Sequence, residues 1–473
     1  MTARNLLIIM TDEHRRDAMG CMGHPIVQTP NLDRLARSGT VFESAYTPSP
    51  MCVPARAAVA CGDHVHNIRY WDSATPYDGT RRSWMHKLSD AGIRTTSIGK
   101  LHFRSTDDDN GFDEEILPMH VVGGIGWPVG LLRENLPDYA GAGELARDVG
   151  AGESTYTAYD RAIVDAADGW LRDSARMGAP WSAFVSLVSP HYPLTAPAEF
   201  MKLYDPANMP LPIGHDPSER PDHPELQTLG AFFAYDRYFD EDTMRQAIAA
   251  YYALTTFLDY CVGRILRALE ESGQADDTLI LCVSDHGEML GDHGLWTKQV
   301  MYEASAGVPM ILAGPGVPVG KRVRTPTSLI DIAPTAMDVF GLASGLPGAS
   351  LLSIARVPDD PNRTVLSEYH DGGSSTGAFM VRWGDWKYVH YVGLPPQLFD
   401  LENDPDERRD LATSSAPEVQ AARAEGERRL REICDPETVN ALCFADQRRR
   451  IEALGGEAAC LRAAAFNHTP TPT

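Results

Sequence analysis

The feature that most constrains this chain is a set of short apolar runs without polar interruption. Leu6–Met10 is the clearest, and Thr95–Ile98, Ala183–Val188, Leu279–Val283 and Val308–Leu312 read similarly. A strand with one wet face alternates apolar and polar residues. A continuous run is buried on both faces, as strands of a parallel sheet are. Stretches with helical periodicity lie between these runs. Arg245–Glu271 places Ile248, Tyr252, Phe257, Cys261, Ile265 and Leu269 on one face, with Gly273 beyond it as a C-cap. Asn31–Ser38 and Ser83–Ala91 are shorter helices. This alternation predicts an α/β fold: a doubly wound, mostly parallel sheet flanked by helices.

Two irregular stretches interrupt the pattern, Asp107–Gly152 and Tyr204–Glu225, and long loops of this kind serve as lids, binding loops or solvated insertions. Near Asp360 the pattern changes. Ala378–Val392 has strand residues on either side of Gly384-Asp385, which predicts a hairpin. Pro395–Leu401 adds a further strand, and Glu418–Glu432 is an amphipathic helix. The expected division is an α/β domain over residues 1–360 and a C-terminal subdomain over 361–473. The latter combines a small antiparallel sheet with helices and ends in an extended tail.

Composition excludes several roles. Lys plus Arg is 42 against 65 Asp plus Glu, a formal charge of −23, so the chain is unsuited to nucleic acid. Any anionic ligand must be captured by a local cluster of cations. The 8 cysteines are scattered without paired spacing, which predicts reduced thiols. The run Leu6–Met10 ends in Thr11-Asp12-Glu13-His14, too short for a secretory leader, and no apolar stretch has the length of a membrane span. A cytoplasmic protein with no membrane partner is expected.

In open α/β sheets, ligands bind beyond the carboxyl ends of the strands. Asp12 and Glu13 follow the first run. Lys100 and His102 follow the second, His191 the third, and Asp285 and His286 the fourth. Each alone is as well explained by a cap or a surface charge; together on one edge they form a candidate site. Asp12, Glu13, Asp285 and His286 supply mostly hard oxygen donors with one imidazole. That set suits one divalent ion, Ca²⁺, Mn²⁺ or Mg²⁺, with the imidazole favouring Mn²⁺. Arg56, Lys100 and Lys298 add positive charge, so the pocket suits a tetrahedral oxyanion.

Cys52 lies in Met51-Cys52-Val53-Pro54-Ala55-Arg56, a C-x-P-x-R core. With Thr29-Pro30-Asn31-Leu32-Asp33, Gly99-Lys100-Leu101-His102, Ser189-Pro190-His191-Tyr192-Pro193, Ser284-Asp285-His286-Gly287-Glu288, Gly291-Asp292-His293-Gly294-Leu295-Trp296-Thr297-Lys298 and Gln397-Leu398-Phe399-Asp400, it resembles the type I sulfatases of the alkaline phosphatase superfamily. The nearest branch is that of bacterial choline sulfatases and phosphonate monoester hydrolases. The resemblance spans about residues 5 to 412.

The resemblance implies that Cys52 is oxidised to Cα-formylglycine by a maturation enzyme and hydrated to a gem-diol. One hydroxyl, on the metal, attacks sulfur; His191 protonates the departing alcohol. His102 helps the second hydroxyl lose its proton, which expels sulfate and restores the aldehyde. Arg56 holds the formylglycine, and Lys100 and Lys298 bind the sulfuryl oxygens. The chain departs from many relatives in carrying Glu13, Ala55 and His286. The substrate is a small anionic ester, a sulfate monoester or, with the same site, a phosphonate monoester or phosphodiester. A catalytically silent binding protein is the remote alternative. Family members are often oligomers, so a homo-oligomer is expected, with the segment from Glu418 to Phe466 as a candidate contact. Trp71 and Tyr77 are candidates for an aromatic cage or for interior packing, and Met119–Gly124 for the pocket wall.

Overall fold

The computed structural model describes residues 3–139, 141–463 and 469–472. The main sheet contains β1 (Asn5–Asp12), β2 (Gly39–Phe42), β3 (Arg94–Lys100), β4 (Glu114–Met119), β5 (Trp181–Pro190), β6 (Thr278–Ser284), β7 (Met310–Ala313) and β8 (Lys321–Val323). Their order is β8-β2-β7-β6-β1-β5-β3-β4. Strands β6, β1, β5, β3 and β4 run parallel, so the carboxyl ends of the four site-bearing strands share one edge. The run at Val308–Leu312 departs from expectation: β7 is antiparallel to both β6 and β2. It reads as parallel because helices cover both faces of the sheet there too, and burial alone sets the apolar pattern.

Period-two alternation divides β1 between two cores. Leu6, Ile8 and Met10 join the cluster containing Ala57 and Val59. Leu7 and Ile9 join the opposite cluster, with Ile163, Phe257 and Ile265. The first cluster is covered by α2 (Cys52–Cys61), the second by α1 (Pro30–Arg37), α4 (Thr155–Ser174) and α5 (Glu241–Glu271); α3 (Trp84–Asp90) flanks β3. Every residue of α2 is buried. Pro54 sits in its first turn, where the N–H would have no helical partner. Gly62 closes α2 at φ 66°, and a Cβ there would lie 2.5 Å from Ala333 Cβ.

A second sheet is antiparallel throughout: β9 (Val365–Tyr369), β10 (Ala378–Trp383), β11 (Trp386–Tyr391) and β12 (Gln397–Asp400). It carries the expected hairpin, with Trp383 opposite Trp386. Helix α6 (Pro417–Ile433) packs on it, and Gly426 permits the approach, since a Cβ there would lie 2.5 Å from Tyr388 Cβ. Helices α7 (Pro436–Ala453) and α8 (Glu457–Arg462) turn back onto the 128–131 segment. Residues 464–468 of the expected contact segment lie outside the described residues. Among the described residues, no helix is long and apolar enough to cross a membrane.

Buried charge joins the two sheets. Lys387 of β11 is fully buried between Glu303 (2.6 Å) and Glu407 (2.7 Å) and donates to the Met301 carbonyl. Glu303 also pairs with Arg16 and accepts from Tyr46 Oη. Burial opposes ionisation of Glu303, but Lys387 and Arg16 outweigh it and hold the carboxyl far below its usual range. Its folded pKa is depressed, so its contribution is present above the unfolded value of about 4.3 and lost as pH falls through the folded one. Lys387→Met, which leaves buried Glu407 without its cation and Glu303 with Arg16 alone, is expected to cost about 3–5 kcal/mol at pH 7 in a urea titration. The deficit should shrink as the pH is taken below 4.

Candidate active site

The last residue of β1 is Asp12; Asp285 and His286 follow β6; β3 ends at Lys100, with His102 two residues on; His191 follows β5. Helix α2 begins at Cys52 and places Arg56 one turn inside. Lys298 comes from a loop of unusual backbone, in which Leu290, His293, Thr297 and Gln299 all have positive φ. Such conformations persist where surrounding bonds impose them. Here Glu288 Oε1 accepts from the Leu290 and Thr297 amides at 2.7 and 2.6 Å. All ten predicted site residues are buried and lie at this one edge.

Two donor groups share Asp12. In the first, ligand atoms of Asp12, Cys52, Asp285 and His286 lie within 4.8 Å of one another. His286 Nδ1 donates to the Gly287 carbonyl (3.0 Å), which leaves the Nε2 lone pair facing Cys52 Sγ at 3.1 Å. A carbonyl that fixes the tautomer in this way is the arrangement found behind metal-binding imidazoles. Two carboxylates and an oriented imidazole fit a divalent cation. In the second group, Glu13, at φ 62°, turns away from Asp285 and His286. Its Oε2 lies 3.1 Å from Lys298 Nζ and 3.2 Å from His191 Nε2. In this arrangement Glu13 groups with Asp12 and His191 rather than with Asp285 and His286, and its backbone is left-handed there. Burial pushes its carboxyl well above the usual range, Lys298 pulls the other way and Glu288 adds to the rise.

Arg56 is spent on the scaffold. Nε donates to Asp285 (2.8 Å), Nη2 to Asp12 (3.1 Å) and Nη1 to the Lys100 carbonyl and Ser186 Oγ. It holds the carboxylates, while the expected hold on residue 52 is indirect. Lys100 Nζ lies 2.5 Å from Asp12 Oδ2. Burial opposes ionisation of Asp12, but the Lys100 and Arg56 charges outweigh it and hold its carboxyl well below the usual range. Burial, with Asp12 beside it, pushes the Cys52 thiol up to about 12. An unmodified Cys52 is therefore a protonated, inert thiol.

His191 Nδ1 donates to the Tyr192 carbonyl (2.7 Å), and its Nε2 faces Lys298 Nζ at 3.0 Å. Burial and the Lys298 charge hold the imidazole well below its ordinary value, so the resting ring is neutral. Both His102 nitrogens are buried and have no hydrogen-bond partner among the described residues, and the ring borders the pocket.

The pocket above Cys52 encloses about 840 Å³, its open mouth included. Lys298, His102 and His191 line its floor. Its walls are Trp127, Tyr139, Tyr156, Tyr192, Phe233 and Tyr235, with Val121, Ser73, Gln299 and Thr469. Of the Met119–Gly124 stretch only Val121 reaches it. Trp71 and Tyr77 pack in the interior; Trp71 Nε1 donates to Asp446, and Tyr77 lies edge-on to Phe103. The sequence reading missed the aromatic wall because its residues are dispersed: Trp127 and Tyr139 come from the first irregular stretch, Tyr156 from α4, Tyr192 from the turn after β5, and Phe233 and Tyr235 from the segment that follows the second irregular stretch. In the irregular stretches the only signal was aromatics in polar loops, such as Gly126-Trp127-Pro128. Thr469, from the extended tail, accepts at its carbonyl from Tyr156 Oη at 2.8 Å.

Comparison with known proteins agrees with this geometry. A family model described as Sulfatase matches residues 4–342, and one described as N-sulphoglucosamine sulphohydrolase, C-terminal, matches 291–434. The chain is 34% identical over 469 residues to a choline-sulfatase of Rhizobium meliloti (strain 1021), covering 94% of this chain and 90% of the relative. It is 31% identical over 441 residues to arylsulfatase K of Danio rerio, covering 88% and 81%. A phosphonate monoester hydrolase structure from Silicibacter pomeroyi superposes with a TM-score of 0.72 at 26% identity, covering 90% of this chain and 94% of the other. The chain belongs to the sulfatase family: it is a hydrolase of sulfuric esters on an alkaline phosphatase-like fold.

Proposed function

We propose that the chain cleaves a sulfate monoester at residue 52 after Cys52 has been oxidised to Cα-formylglycine. The observation that carries this reading is the position of Cys52 Sγ, at the start of α2 between Asp12, Asp285 and His286. The thiol marks where the oxygens of the hydrated aldehyde would project. One divalent cation held by Asp12, Asp285 and His286, Ca²⁺ or Mg²⁺ by its hard oxygens and Mn²⁺ by its imidazole, would supply Lewis acidity and acidify a bound oxygen. Because Cys52 is 5% exposed, the maturation enzyme would meet it before the pocket closes. Eight free thiols support a reducing, cytoplasmic setting.

The remaining steps belong to residues of the pocket. Lys298 and Lys100 stabilise the sulfuryl charge from two sides. His191 is neutral at rest. An anionic ester entering beside it favours the imidazolium, which then protonates the leaving alcohol through Nε2. His102, with both nitrogens unpartnered among the described residues, takes the proton whose loss releases sulfate.

The pocket wall narrows the alcohol. Among the described residues it carries six aromatic rings and, away from the reacting end, no carboxylate and no second cation. A polyanionic saccharide finds no counter-charge there, whereas a small quaternary ammonium or aryl group finds π faces. The choline-sulfatase relative supports the quaternary ammonium reading. A phosphonate monoester is the second reading, supported by the structural likeness to the Silicibacter enzyme.

Side-by-side kcat/KM values on choline sulfate, p-nitrophenyl sulfate and p-nitrophenyl phenylphosphonate test the assignment; a preference for the phosphonate would overturn the sulfate reading. Trp127→Ala is expected to raise KM for choline sulfate about 10-fold, the scale of one desolvated cation–π contact of roughly 1.4 kcal/mol, with kcat little changed. Chelation followed by dialysis should abolish turnover, and metal analysis of the reloaded protein should give one ion per chain. Asp285→Asn should lose that ion.

A further inference from the structure

We propose that Asp160, on α4, is a positioning residue for His191. Its carboxylate holds the irregular end of β5 in the form that carries the imidazole to Asp12, Glu13 and Lys298. The proposal rests on His191 being part of the reacting machinery, as assigned above.

The need for such a holder comes from the register of the sheet. Strand β5 pairs in step with β1 from Leu6–Ser182 to Met10–Ser186, yet the next pair is Asp12–Pro190. Over that interval β1 advances two residues and β5 four. On the other side of β5, pairing with β3 ends at Gly99–Ser186. Between Ser186 and Pro190, β5 therefore has no registered partner on either side, in a strand that is buried throughout. A bulge of this kind redirects the chain and leaves amides unpaired, and a buried unpaired amide costs about as much as a lost hydrogen bond.

Asp160 resolves this cost. Its Oδ1 accepts from the Val188 amide at 2.7 Å and its Oδ2 from the Ser189 amide at 2.8 Å. The turn that delivers the imidazole closes on the same residue, since the His191 amide donates to the Val188 carbonyl at 3.0 Å. Asp160 is fully buried, which a carboxylate tolerates only where its acceptor capacity is used. One helical turn earlier, on the same face of α4, the Tyr156 ring lies edge-on to the His191 ring at 5.8 Å. The first two turns of α4 thus hold the backbone before His191 with one side chain and touch its ring with the other.

The carboxylate is specific to the task. It offers only acceptors, one for each amide. Asparagine keeps the shape but sets an amide N–H₂ against one of the two backbone donors.

The test is a double-mutant cycle of Asp160→Asn and His191→Ala in the full-length, matured protein. Turnover is measured on p-nitrophenyl sulfate and on an alkyl sulfate, whose alcohol needs a proton to leave. Asp160→Asn alone should lower kcat on the alkyl sulfate 10- to 100-fold with KM within about threefold, at the scale of a displaced general acid. In the His191→Ala background the same substitution should change turnover less than threefold, because the group it positions is gone. Equal losses in both backgrounds would overturn the proposal and mark Asp160 as part of the general scaffold. If Asp160→Asn does not fold, Asp160→Glu, which keeps both acceptors but displaces them by one methylene, enters the same cycle with the same criteria. His191→Ala alone separates the underlying reading: a loss no larger on the alkyl sulfate than on p-nitrophenyl sulfate removes His191 as the acid, while coupling to Asp160 still decides the positioning role.

Discussion

The Arg56 guanidinium is the interaction on which the site depends. It lies wholly inside the protein and ties Asp12 of β1 to Asp285 after β6, while reaching the Lys100 carbonyl of β3 and Ser186 of β5. One side chain thus touches or ties all four site-bearing strands. Two buried carboxylates so close together repel each other and resist desolvation. Arg56 and Lys100 provide two positive charges against those two negative ones. A divalent cation held by these carboxylates would leave the site positive and able to receive an anionic ester. The planar fork matters: a lysine at position 56 would bring the charge without the simultaneous bonds.

Much of this architecture is legible in the sequence because burial on both faces writes a simple pattern. Leu6–Met10, Ala183–Val188 and Leu279–Val283 each announce a strand, and the residues after them announce the edge where chemistry collects. The same rule misassigned the direction of Val308–Leu312, since a helix-covered antiparallel strand carries the same apolar run. It also missed β4, whose Glu114-Glu115-Ile116-Leu117-Pro118 shows no period-two alternation, is only part-buried at the sheet edge and resembles a loop.

Within the site, residue identity was more legible than residue orientation. Asp12 and Glu13 are adjacent in sequence and look like a ligand pair. A single left-handed residue sends the second toward Lys298 and His191 instead. Nothing in the composition of a segment specifies that φ, because the residues that impose it, Asp285 and Tyr251, come from far along the chain. The aromatic wall was hidden for a related reason. Trp127, Tyr139, Phe233 and Tyr235 have no common period and belong to one surface only after the chain has folded. Asp160 reads as one polar position on an amphipathic helix until the register of β5 shows which amides it must satisfy.

The placement of Thr469 bears on the choice of alcohol. A residue four positions from the end of the sequence forms part of the wall around the reacting group, held through its carbonyl by Tyr156. Here a residue of an extended segment, rather than of a helix or strand, closes part of the wall, so variants that displace Thr469 are expected to differ in which alcohol they accept.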